Sequence, residues 1–386
     1  MSPSHRPMRV LLAAPRFPPD VGGLESYAGW VARTLAASPD HDVRVVTSHS
    51  GRGRLEGEVD GIPVTRLGSW VTLSNTPVNP LWLAQLRALI REFRPDVVNV
   101  HSPVPGLADA IVAVAGPVPV VMTYHAGSLV KGESRAIDAV LRTYERRVLP
   151  RVFDRCAELV AVSPVAMTHA TGRATMITPG VDTDFFSPDP DVVRGRRMLF
   201  VGRVEASSRW KGISTLIEAL ALAAPLVPGI GLDVVGDGDD VPRLQRLAQA
   251  RGVADLVTWH GSLTHTELVG LYRCAGVTVL PSLTEAESFG MALVEAMASG
   301  CPLVGSDVGG IPFVLADGEH GLLVDPGDAA SLAAAVERVL LDPDLAERLS
   351  EAGRRAAVER WDWRHQSAAT TEVLARAVRG SVRQLV

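Results

Sequence analysis

Short apolar runs alternate with segments of helical periodicity along the chain, and the alternation starts twice. "MRVLLAAP" (8–15), "HDVRVVTS" (41–48), "PDVVNVHS" (95–102), "PVPVVMTYH" (117–125), "ELVAVSP" (158–164) and "ATMITPGVD" (174–182) read as strands. Residues 24–38, 79–93 and about 134–155 read as the helices between them, Leu24, Tyr27, Val31 and Leu35 forming the first apolar stripe. Unbroken Val/Ile/Leu runs spaced by helices suit a parallel sheet buried on both faces. The Pro- and Asp-rich stretch "FFSPDPDVVRGR" (185–196) interrupts the pattern. It restarts with strands at 197–203, 231–238, 256–261, 277–282 and 301–307, and helices at 212–224, 240–252, 264–275 and 290–299, with more helix to the end. The economical fold is α/β, with two consecutive Rossmann-like, doubly wound domains at 1–190 and 191–361 and a helical tail at about 362–386.

A length of 386 residues suits two such cores better than one. Net charge is −5 with no long block of one sign, which argues against a general nucleic-acid binder and leaves room only for a local basic patch. Cys156, Cys274 and Cys301 have no CxxC spacing and fit a reducing compartment better than a zinc site. The N-terminus reads as a loose tail before a buried strand and not as a secretory signal, because its apolar run ends at Pro15. The longest apolar stretch, 108–122, is broken by Gly116, Pro117 and Pro119 and cannot span a bilayer. The expected location is cytoplasmic, with peripheral contact at the inner face of the membrane through the Arg-rich stretch 135–155. A solvated helix with intrahelical ion pairs explains that stretch equally well.

Ligands of doubly wound sheets bind beyond the carboxyl ends of the strands, so chemistry belongs in the loops that follow them. Gly22-Gly23 follows the first strand and opens a helix, where bare backbone amides can face an anion; a flexible turn is the bland alternative. The loop after the first strand of the second half holds Arg203 and Lys211, a guanidinium and an ammonium able to neutralise a diphosphate, or simply two solvated cations. "EAESFGMALVEAMASG" (285–300) places Glu287, then Phe289-Gly290 at a helix start, then Glu295. Amides at a helix start lack partners and suit phosphate. A carboxylate further in suits a ribose diol, and one before the helix suits a sugar beyond the phosphates. The alternative is a capping acid at Glu287 and a solvent-facing acid at Glu295. Asp237, Asp239 and Asp240 read as a turn and helix cap in preference to a metal site, and no metal or cofactor is expected.

Glu287 and Glu295 form an E-x7-E motif within "PSLTEAESFGMALVEAMASGCPLVGSDVGG" (281–310). With the Gly22-Gly23 loop, "VNVHSPVPG" (98–106), "VVMTYHAG" (120–127), "VGR…KG" and "DGEHGLLVDPGD" (317–328) in order, nearly the whole chain resembles the retaining glycosyltransferases of family 4, which have the GT-B fold. The resemblance implies two domains facing across a cleft, with the last helix crossing back to the first. It implies transfer of a hexose from a nucleoside diphosphate sugar, UDP ahead of GDP, to a glycan, lipid-linked or small-molecule acceptor. An epimerase or hydrolase on the same fold is the alternative. The implied roles put Gly22 and Gly23 at the donor diphosphate, Arg203 and Lys211 as its counter-charges, and the amides of Phe289, Gly290, Met291 and Ala292 beside it. Glu295 would hold the ribose, Glu287 the donor sugar, and His125 would lie near the anomeric carbon. Gly236 and the 258–263 loop would border the base, and Glu25 and His101 would face the acceptor. Two departures stand out: extra residues between Arg203 and Lys211, which make Arg209 a competitor for the phosphate, and Thr178-Pro179-Gly180 where many relatives have Asn-Gly.

Overall fold

The computed structural model describes residues 6–20, 22–73, 76–103, 105–130 and 135–384; the expected N-terminal tail (1–5) and position 134 at the start of the expected third helix lie outside them. The chain divides into two compact units, Met1–Thr178 with Arg364–Val386, and Pro179–Trp363.

The first unit contains β1 (Met8–Ala13), α1 (Gly23–Ala36), β2 (His41–Val59), β3 (Ile62–Ser69), β4 (Val71–Leu73), β5 (Thr76–Val78), α2 (Trp82–Phe93), β6 (Val97–Ser102) and α3 (Leu107–Val114). It continues with β7 (Val120–Tyr124), α4 (Arg135–Arg147), α5 (Leu149–Asp154), β8 (Glu158–Ala161) and β9 (Thr175–Met176). The sheet order is β3-β2-β1-β6-β7-β8-β9, parallel except for β3. Two sequence expectations need correction. The single helix at 134–155 is two, because Pro150 lacks the amide needed to continue α4 and sits instead in the first turn of α5. The strand at 174–182 is reduced to β9, and its end bridges through Val181 to Asp362 in the second unit. The sequence reading also missed the β2–β3 hairpin, which turns at Asp60-Gly61 with φ of 51° and 75° at the two residues.

The second unit contains β10 (Arg197–Val201), α6 (Ile213–Ala223), β11 (Gly231–Val235), α7 (Val241–Ala250), β12 (Val257–Gly261), α8 (His265–Cys274), β13 (Val277–Leu280) and α9 (Met291–Ala298). β14 (Leu303–Ser306), α10 (Ile311–Leu315), β15 (Leu322–Val324), α11 (Ala329–Leu341) and α12 (Pro343–Arg360) complete it. Its sheet, β12-β11-β10-β13-β14-β15, is parallel throughout and doubly wound. Its apolar residues form one core.

The last helix, α13 (Trp363–Gln384), seals the first unit. Val373, Leu374 and Ala377 join Val10, Leu12, Tyr27, Val31, Val121 and Ile177 in one buried cluster. Arg376 on α13 pairs with Glu158 at the start of β8, 2.7 Å apart. Leu374 is fully buried, so Leu374→Ala removes apolar contact and leaves a cavity in this cluster. We expect a loss of about 2–5 kcal/mol in the unfolding free energy of the first unit, measured by urea denaturation.

Candidate functional site

Strand order reverses at β10 and β13 in the second unit, so the loops leaving these strands diverge from one point at the sheet's carboxyl edge. They touch through backbone. Gly212 has φ +75°, and a Cβ there would lie 1.8 Å from the Pro281 carbonyl oxygen. This contact seats Lys211, at the end of a short 3-10 turn (Ala206–Lys211), against Glu287. Lys211 Nζ donates to Glu287 Oε2 at 2.9 Å, with the two side chains only 13% and 11% exposed. Ser282 Oγ donates to the same oxygen at 3.2 Å, and the ammonium lies 4.6 Å from the Trp210 ring centre.

Glu287 is therefore an ion-pair partner and no capping acid. Its backbone is held from the far side by Gly309-Gly310. Gly310 N–H donates to Glu287 O at 2.8 Å. A Cβ at Gly309 would stand 2.2 Å from that oxygen, and one at Gly310 would stand 2.1 Å from Ser288 O. The sequence reading gave these glycines no role, although their pairing was the available signal.

Gly290 caps α9 with φ +90°, a backbone setting that side chains resist. Among the described residues no acceptor takes the backbone N–H of Phe289, Gly290, Met291 or Ala292. Phe289 contributes only its amide there, because its ring is buried edge-on to Trp361. Glu295, on the second turn of α9, accepts a hydrogen bond from the Tyr272 hydroxyl at 2.9 Å. Burial pushes its carboxyl up to about 7, so it is not a solvent-facing acid.

Arg203 is exposed and has no ion-pair or hydrogen-bond partner among the described residues. Arg209 is engaged elsewhere: it donates twice to Asp240 Oδ1, at 3.0 and 2.8 Å. Arg243 and then Arg209 hold the Asp240 carboxyl below its ordinary range. Asp240 occupies the position before α7 but does not cap it with its side chain, a correction to the expected cap. Asp239 accepts from Ala206 N–H at 2.7 Å and Asp237 from Gly238 N–H at 2.8 Å. Among the described residues no three His, Cys, Asp or Glu side chains are grouped to hold a metal ion. Gly236 has φ +132°, and a Cβ there would meet Gly202 O at 1.9 Å, so its glycine serves the packing of two turns.

The first unit has its own reversal at β1 and β6. A Cβ at Gly22 would lie 2.3 Å from Glu25 Oε2, whereas one at Gly23 would meet nothing within 4 Å. Glu25 thus curls back over the start of its own helix. His101 requires a correction: it sits inside β6, fully buried, and cannot touch an acceptor from a loop. It meets His125, directly after β7, through Nδ1 and Nε2 at 3.1 Å, and its own Nε2 lies 2.9 Å from Asn99 Oδ1. Tyr27 packs edge-on to both imidazoles, with ring centres 5.0 Å and 5.6 Å away. Burial lowers both histidines, His125 to about 3. Asn99 and Tyr27 had escaped the sequence reading, since neither residue type signals a role in a strand or on an apolar stripe.

Two family models match the chain: Glycosyltransferase Family 4 over residues 21–185 and Glycosyl transferases group 1 over residues 187–356. A glycogen synthase of Mycobacterium tuberculosis is 31% identical, the match covering 97% of this chain and 96% of that one. The chain is a family 4 glycosyltransferase. The phosphatidyl-myo-inositol mannosyltransferase of Mycobacterium leprae is also 31% identical to this glycosyltransferase, over 92% of this chain and 93% of the relative. Sucrose-phosphate synthase from Thermosynechococcus elongatus shares its fold with a TM-score of 0.76 at 23% identity, covering 98% of this chain and 99% of the other. Anabaena HepE in complex with UDP and glucose does so with a TM-score of 0.73 at 19% identity, covering 95% and 99%. The fold of the glycosyltransferase is GT-B.

Glu295 gives this enzyme a pH signature. Its carboxyl binds a proton more tightly in the native chain, near 7, than in the unfolded chain, near 4.5. The resulting stabilisation is complete below the unfolded value and is lost as pH rises through 7. Wild type should therefore lose on the order of 3 kcal/mol between these limits relative to Glu295→Gln, measured by denaturant melts across the range.

Proposed function

We propose that this enzyme moves a hexosyl group, with retention, from a nucleoside diphosphate sugar to a hydroxyl of a glycan, lipid-linked or small-molecule acceptor. The observation that carries the reading is the Lys211–Glu287 pair set beside the unpartnered amides of residues 289–292. In this reading the donor diphosphate takes Lys211, Arg203 and those amides as its counter-charges, and Gly22 and Gly23 lend backbone to it. As the bond from the anomeric carbon to the diphosphate oxygen breaks, negative charge grows where these donors already stand. The acceptor oxygen bonds to the same face of the carbon, and its proton passes to the departing diphosphate oxygen. Glu287 exchanges Lys211 for hydroxyls of the sugar, Glu295 takes the ribose diol, and His125 lies against the reacting sugar.

Thermal unfolding in EDTA with UDP, GDP or ADP tests the donor half. A rise in midpoint with one nucleotide supports the reading and names the base; no rise with any of the three would remove its support. Glu295→Ala should weaken nucleotide binding roughly 10–100-fold, by loss of charge-assisted hydrogen bonds. Glu287→Ala should lower turnover by roughly 100-fold while changing nucleotide affinity little. Equal affinity losses in both variants would break this division of roles. Release of free sugar with no gain on adding acceptors would favour a hydrolase.

The acceptor side rests on α4. Ile137 and Val140 are 46% and 69% exposed there, beside Arg135, Arg142, Arg146 and Arg147. Among the described residues none of these arginines has a carboxylate partner, and Glu145 is turned to Ser128 and Leu129 instead. Among the described residues the intrahelical ion pairs of the alternative reading are not formed. An apolar strip flanked by unpaired cations fits an anionic lipid surface. Sedimentation with phosphatidylglycerol vesicles should carry the wild-type protein down and leave Val140→Asp in solution; equal sedimentation of both would exclude α4 as the contact.

A further inference from the structure

Asn99, His101 and His125 form a chain of polar side chains that runs from inside the first unit's sheet to the end of β7. Asn99 and His101 are 1% and 0% exposed, an unusual depth for polar groups on a strand. The protons along this chain are not free to choose. Asn99 Nδ2 faces the Val121 carbonyl at 3.5 Å, which leaves Oδ1, an acceptor only, against His101 Nε2. His101 Nε2 must then carry the proton. A neutral imidazole protonated there has a lone pair on Nδ1, so the hydrogen bond at 3.1 Å is donated by His125 Nε2–H. His125 Nδ1 is left with its lone pair and has no partner among the described residues. The titratable side chains packed on the pair are Tyr27 of α1 and the two imidazoles themselves; no carboxylate or cation hydrogen-bonds either ring among the described residues.

We propose that Asn99 and His101 are positioning residues that fix His125 as a neutral imidazole whose outward nitrogen accepts a hydrogen bond from a sugar hydroxyl. His125 then neither protonates the leaving diphosphate nor brings a positive charge to the sugar. The buried environment, which opposes protonation of both rings, agrees with this. Tyr27 packs edge-on against both imidazoles and holds the two rings from the α1 side. The assignment of a role in the reaction rests on the proposed function; the assignment of the tautomer does not.

The test therefore has two readouts. Long-range 1H–15N spectra of the wild-type protein should show His125 with a protonated Nε2 and a pyridine-type Nδ1, unchanged from about pH 6 to 8. A protonated Nδ1, or an imidazolium in that range, overturns the proposal whatever the enzyme's substrate is. Asn99→Asp places a carboxylate on His101 Nε2–H and favours a proton on His101 Nδ1, which forces His125 to turn its protonated nitrogen outward. The spectrum should invert, and turnover of the sugar nucleotide should fall roughly tenfold or more, with a new ionisation in its pH profile and nucleotide binding retained. An inverted spectrum with unchanged turnover overturns the positioning role. Loss of nucleotide binding in the wild-type protein itself would instead count against the proposed function, and the spectrum alone would then decide the tautomer.

Discussion

A lysine ammonium almost removed from water must be neutralised, and in this chain Glu287 neutralises Lys211. Much of the second unit's local geometry serves that one contact. Gly212 lets the β10 loop lie on the backbone of the β13 loop; Gly309 and Gly310 press the Glu287 backbone from the other side. A side chain at any of the three would part the loops and leave a largely buried charge unpaired. The pair is also replaceable. In the proposed function a diphosphate, with more negative charge than a carboxylate, takes over Lys211 together with the open amides of residues 289–292 and frees Glu287 for another partner.

Secondary structure was legible where a single physical cause acts. Parallel strands buried on both faces favour apolar runs, and β1, β7 and β10 carry them as VLLA, VVM and MLFV. Where the cause is tertiary, the sequence is mute. Residues 50–58 of β2 are mostly exposed and lack an apolar pattern, yet they pair with β3 because Asp60-Gly61 turns the chain. Pro150 was readable as a helix break and was passed over within an Arg-rich stretch that otherwise has one period.

The chemistry was legible as residue types and not as partners. Glu287, Glu295 and Lys211 announce themselves by motif, but that Lys211 and not Arg209 lies with Glu287 depends on Asp240 drawing Arg209 away. Asp240 is 31 residues from Arg209 in sequence and takes Arg243 from its own helix at the same time. His101 misled because a histidine after a strand and a histidine inside its last turn of pleat look identical in a one-dimensional string. Only the register of β6 against β7, which sets His101 beside Thr123 and its neighbour His125 just beyond the strand, separates a loop histidine from one buried inside the sheet.

The two units impose opposite electrostatic demands on their polar residues. The second gathers positive groups, namely Lys211, Arg203 and bare amides, and raises the carboxyl of Glu295 to about 7 by desolvation. The first sets two imidazoles in line with a single amide side chain, where desolvation opposes protonation of both rings. A sugar passing through an oxocarbenium-like state needs negative charge at its leaving oxygen stabilised and no cation near its ring. Under the proposed role of His125, a chain ending in an uncharged acceptor satisfies the second requirement, because an acceptor lone pair orients a hydroxyl without opposing the charge that develops on the carbon.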